Sequence, residues 1–113
     1  MQVTVTITNV TPRDTTLQLL GGNCEVLIRI YPRADRTGTP IVDTSGPGVE
    51  CFGPVLKRTV AAGDSIALHS PRDGPGVPLP PRRYWITALV TFVTPTGSRR
   101  LELSAGTFVV PAE

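Results

Sequence analysis

The sequence is poor in the side chains that most catalytic, metal-binding and nucleic-acid-binding sites are built from. Its 113 residues include one His, one Trp, one Lys and two Cys, and aromatic residues make up only 5%. Any acid–base scheme would have to centre on His69. Its neighbours Ser70 and Asp73 share one loop with it, and residues that close in sequence rarely line up as nucleophile, base and orienting group. A solvated histidine at a strand end is the expectation. Two cysteines and one histidine fall short of four structural zinc ligands, and no C-x-x-C pair is present. The Gly-rich stretches "TSGPGVE" and "DGPGVP" contain prolines and precede no helix, so neither is a phosphate cradle. The carboxylates form no motif. No catalytic residue, metal or cofactor is therefore expected, and the chain is read as not an enzyme.

An excess of charge of one sign is lacking too. The net charge is +2, and the Arg pairs Arg82-Arg83 and Arg99-Arg100 fall at predicted strand edges and turns, where charge keeps a sheet soluble. A nucleic-acid surface would need denser basic residues with aromatics between them, so no nucleic acid is expected. No apolar run approaches the ~20 residues of a membrane-spanning helix, and no transmembrane segment is expected. Nor is a signal peptide read at the N-terminus, because the first strand begins within a residue or two of Met1. That leaves the compartment open, since the numbering can describe a mature or truncated form with an added Met.

What the sequence does have is 40% hydrophobic residues, with 11 Gly and 12 Pro between the apolar runs. That is enough for one core, and 113 residues leave no room for a second, so residues 1–113 are read as a single domain. So many breakers exclude a helical protein and leave short strands joined by turns. Val3, Val5 and Ile7 alternate with Thr4, Thr6 and Thr8, a half-buried strand. Further strands are expected over Thr15–Leu20, Cys24–Tyr31, a short piece near Ile41-Val42, Val55–Val60, Ser65–His69, Tyr84–Val93, and Arg99–Val110 with an interruption near Ala105-Gly106. Cys24, Val26, Ile28 and Ile30 should share one side of their strand, with Leu27 and Tyr31 on the other. Tyr84, Ile86, Ala88, Val90 and Phe92 should share one face of the long strand. The count implies an all-β, immunoglobulin-like antiparallel sandwich of about seven to eight strands. Tyr84, just after a Pro-rich corner, is placed either as a tyrosine corner bonding the backbone upstream or as a plain core residue.

The runs "ITNVTPRDTTLQL", "CEVLIRIY", "VAAGDSI" and "LPPRRYWITA" resemble the bacterial Ig-like domains typified by the intracellular proteinase inhibitor of Bacillus. The resemblance covers most of the chain through short motifs generic to bacterial sandwiches. It implies the fold and, through the family's name, inhibition of a protease. Departures are Arg83 for the glycine before the corner Tyr, Ala62 for a turn proline, Ile41 near the place of a Trp, and the two cysteines.

Cys24 and Cys51 are read as one disulfide, the usual meaning of an even count in a small loop-rich β domain, with two free thiols as the alternative. A bridge would favour an extracytoplasmic site, periplasm or cell surface; reduced cysteines would favour the cytoplasm. Asn9-Val10-Thr11 matches a glycosylation sequon. One surface stands out. Trp85, Leu89 and Val93 lie opposite the core set on the long strand, and Leu27 and Tyr31 lie opposite it on the neighbouring strand. Together they would form an apolar patch of the kind monomers rarely leave in water, unless the chain's own loops, 33–54 or 70–81, fold over it. The expected function is a non-enzymatic protein-binding or structural module, docking onto a larger assembly or a second copy through that face. The alternative is a proteinase inhibitor acting through the Pro-rich loop, with Arg72, Asp73, Pro75, Val77 and Leu79 as contact candidates, because prolines lower the entropy cost of ordering a loop on binding.

Overall fold

The computed structural model describes residues 2–46, 50–72 and 78–112. The described chain is all-β and antiparallel, with eight strands: β1 (Thr4–Thr8), β2 (Thr15–Leu20), β3 (Leu27–Tyr31), β4 (Val42–Asp43), β5 (Val55–Val60), β6 (Ser65–His69), β7 (Arg82–Thr94) and β8 (Gly97–Val110). β1 pairs only with β6, forming a two-stranded sheet. The other six form one open sheet. There β7 pairs with β3 over residues 85–89 and with β8 along its whole length, β4 borders β3, and the β2–β5 pair joins β7 at Leu19↔Phe92.

The layering is sandwich-like. Val5 and Leu68 from the small sheet, with Val3 just before β1, share one buried cluster with Leu19, Ile28, Ile86, Ala88 and Val90 from the large one and Val26 just before β3. The alternation read from β1 and β7 is thus the one that builds the core. Burying branched aliphatics from both sheets removes their apolar surface from water, which is the main force holding the layers together. Tyr84 closes one end, buried beside Ile30 and Val42, and its hydroxyl donates to the Pro80 carbonyl four residues upstream, as a tyrosine corner does. Phe108 of β8 stacks on the same ring, with centroids 5.4 Å apart.

Two local features differ from the expected pattern. The third strand begins at Leu27, because Gly22–Cys24 forms a single 3-10 turn, with Cys24 N–H bonded to the Gly21 carbonyl and Glu25 N–H to that of Gly22. The turn breaks the period-two alternation, so Cys24 packs with Leu27 and Leu89 on the far side of the sheet rather than with Val26 and Ile28. β8 is not interrupted at Ala105-Gly106. Ile86 lies opposite Gly106 and Thr87 opposite Ser104, so Ala105 is the extra residue of a β-bulge, and Gly106 takes a φ of +110° that suits glycine.

Candidate interaction surface

The sheet face opposite the core holds the five residues expected to form a docking patch, and the structure treats them unequally. Leu27, Tyr31 and Leu89 are buried, while Trp85 and Val93 are half-buried. The Cys24–Cys51 disulfide accounts for part of this burial: Cys24 is fully buried and packs directly on Leu27 and Leu89. The loop after β3 is tied to the sheet as well, since Arg36 donates from Nε to the Ile86 carbonyl at 3.1 Å and from Nη2 to the Gly106 carbonyl at 3.2 Å, at the bulge. The chain's own segments thus cover much of the patch.

A polar network occupies the middle of the same face. Arg29 on β3 lies between Leu27 and Tyr31, its Nε 3.2 Å from Asp43 Oδ2 and its Nη1 2.8 Å from Glu102 Oε1. Glu102 also accepts from the Tyr31 hydroxyl at 3.1 Å and the Thr87 hydroxyl at 2.7 Å. For Asp43, desolvation raises the carboxyl pKa, but hydrogen bonds from the Ser45 hydroxyl and N–H and the charge of Arg29 outweigh it and hold the value below the ordinary carboxylate range. Desolvation likewise lowers Arg29, and the two carboxylates outweigh it. Alternation alone could not reveal the network. Glu102 comes from a strand 73 residues beyond Arg29, and only the pairing of β7 with β8 brings it in.

Exposed apolar side chains occur on the other face as well as at Val55 and Val109 of this one. In register, Leu101 of β8 sits opposite Val90 and Leu103 opposite Ala88. Both leucines therefore point to the core side, yet they are 48% and 36% exposed. The cause is sheet width. Two strands at about 4.8 Å spacing span roughly 10 Å, and the facing sheet is four strands wide through β4, β3, β7 and β8. The cluster shared with the small sheet takes in Val90 and Ala88 and leaves their β8 partners exposed. Packing resumes at Ala105 and Phe108, which touch the core cluster, so the uncovered part is the half of β8 nearest the 95–96 turn. There Phe92, Arg99, Arg100 and Leu101 line a groove of about 330 Å³.

No family model matches this chain, and no curated protein or solved structure does. Function must therefore be argued from the geometry.

Of the Pro-rich loop candidates, Asp73, Pro75 and Val77 lie outside the described residues. Arg72 is exposed. Leu79 is half-buried against the Ile30–Val42–Tyr84 cluster, in a groove shared with Pro32, Ile41, Pro78, Pro80 and Arg82. It anchors the loop's return rather than projecting from it. Asn9 of the sequon is buried. Its Nδ2 donates to the Arg13 and Val60 carbonyls, and its Oδ1 accepts from the Thr11 N–H and hydroxyl. It is a turn-fixing residue with its amide fully engaged. His69 is exposed, with Nδ1 3.0 Å from the Thr4 hydroxyl, while the buried Ser70 hydroxyl accepts from the Val3 N–H. Among the described residues, no group of three or more His, Cys, Asp or Glu side chains could hold a metal ion, and no helix is long and apolar enough to cross a membrane.

Proposed function

We propose that this chain is a non-enzymatic protein-binding module whose contact surface is the outer half of β8. One observation carries the reading: a 14-residue strand, whose one strand partner among the described residues is β7, presents Leu101 and Leu103 half in water. An open strand edge offers unpaired N–H and C=O groups, and apolar side chains beside it supply the area that makes pairing with another chain favourable. The face is an apolar sheet surface, as the sequence leads one to expect, but it is the core-side face of β8 rather than the Trp85 face. The Cys24–Cys51 bridge supports an oxidising, extracytoplasmic compartment, where such bonds persist.

The test is differential capture. The immobilised chain and a Leu101→Lys/Leu103→Lys variant are exposed to protein extract from the native source, and the retained proteins are compared by mass spectrometry. Partners held by the parent chain should be lost from the variant. An identical retained set would remove β8 as the contact surface.

A further inference from the structure

The outer edge of β8 carries a pattern that matches itself. Between the turn at 95–96 and the bulge at Ala105, the strand is regular from Gly97 to Ser104. Beyond the bulge the Gly106 carbonyl already accepts from Arg36. The open, regular stretch thus contains Ser98-Arg99-Arg100-Leu101-Glu102-Leu103-Ser104, a segment centred on Leu101.

When two identical strands pair antiparallel about a two-fold axis, the axis is normal to the sheet, and facing residues lie on the same side. Residue i then meets j′ with i and j both odd or both even. Centring the axis on Leu101 sets Leu101 opposite its own copy, Arg100 opposite Glu102′, Glu102 opposite Arg100′, and Ser98 opposite Ser104′. Every charged residue on the Glu102 face meets its opposite. Sliding by one residue in either direction about the axis is ruled out by charge: centring on Glu102 sets two carboxylates face to face, and centring on Arg100 sets two guanidinia face to face. Directly opposed like charges destabilise a strand pair. On the core side, Leu101 would meet its own copy at the twofold axis, with Leu103 of each copy opposite Arg99′ and diagonal to Leu101′, so that part of the exposed apolar strip leaves the water.

The free side chains fit this arrangement. Arg100 is exposed and has no ion pair or side-chain hydrogen bond among the described residues. Glu102 is held in place by three donors, Arg29, Tyr31 and Thr87. A carboxylate has about four lone-pair positions, so one is left for an arriving guanidinium. We infer that the partner of the β8 edge is a second copy of this chain, paired antiparallel about Leu101 with reciprocal Arg100–Glu102′ contacts to make one continuous sheet. This rests on the reading of β8 as the contact surface and names its occupant.

The test uses the full chain. Analytical ultracentrifugation should show a concentration-dependent dimer. Arg100→Glu should raise its dissociation constant at least about tenfold, since both reciprocal pairs become repulsive. Glu102→Arg should do the same, and mixing the two variants should restore dimers, because each Glu then faces an Arg. Leu101→Cys, which touches neither charge, should give a covalent dimer under copper–phenanthroline oxidation much faster than Leu103→Cys. A monomer at all accessible concentrations, a dimer indifferent to Arg100→Glu, or equal cross-linking at 101 and 103 would each overturn the proposal. A monomer whose Leu101→Lys/Leu103→Lys variant still loses captured proteins would overturn self-pairing alone. If capture is also unchanged, the contact surface itself falls.

Discussion

Leu101 and Val90 face each other across the β7–β8 pair, on the same side of the sheet, yet Val90 is 1% exposed and Leu101 is 48% exposed. The edge of the core falls between them, since Val90 belongs to the cluster shared by the two sheets while Leu101 stands in water. That boundary divides side chains that stabilise the monomer from side chains available to a partner.

Stability should follow the same boundary. Leu19, fully buried in the shared cluster, should cost about 2–5 kcal/mol when changed to Ala, the usual penalty for lost burial plus a cavity. Leu101→Ala should change the monomer's unfolding free energy by no more than about 0.5 kcal/mol, as for most surface substitutions. Urea denaturation of both variants at low protein concentration makes the comparison.

Gly22 should tolerate no side chain. Its φ is +61°, and a Cβ there would lie 1.8 Å from the Phe52 carbonyl oxygen. Gly22→Ala therefore combines left-handed strain of about 1–2 kcal/mol with displacement of the 52–53 backbone. Gly63, with φ +80° and open space around its Cα, should lose only the strain. Thermal denaturation should place Gly22→Ala well below Gly63→Ala.

The Cys24–Cys51 bridge closes a loop with a sequence separation of 27, which the chain-entropy argument values at about 3–4 kcal/mol. Because Cys24 packs on Leu27 and Leu89, Cys24→Ala/Cys51→Ala should lose somewhat more than this, including packing. Thiol titration of the native, unreduced protein should find no free thiol. Two would contradict the bridge.

Acid should weaken the Arg29–Asp43 contact. Asp43's folded pKa lies below its ordinary value of about 3.9, so the unfolded chain binds the proton more readily. The stabilisation is fully present above the unfolded value and is lost as pH falls from about 4 through the lower folded value. Asp43→Asn should be less stable than the parent at pH 6, and the gap should narrow as the pH falls below 4. A gap independent of pH would assign the loss to Asp43's hydrogen bonds alone.

Much of this architecture was legible in the residues. Period-two patterns placed β1, β2, β5 and β6 to within a residue, because a half-buried strand must alternate. Tyr84 after its Pro-rich corner announced a buried phenol, and the two cysteines announced their bond. The sequence left the face opposite the core open either to a partner or to the chain's own loops, for a reason equally physical. Alternation says which side of a strand a residue takes, and nothing about what lies over that side. Cys24 reached Leu89 only because a 3-10 turn reset its phase, and Glu102 reached Arg29 only through the long β7–β8 pairing.

The sequence by itself determined the strands, their inner faces and the turn chemistry, since each depends on neighbours within a few positions. Tertiary structure decided coverage: how far a two-stranded sheet reaches across a wider one, and so which apolar side chains remain in water. Coverage depends on the order and number of strands abreast, a property of the whole chain that no local pattern carries. For that reason Leu101 and Leu103, inward-facing by register, remain exposed.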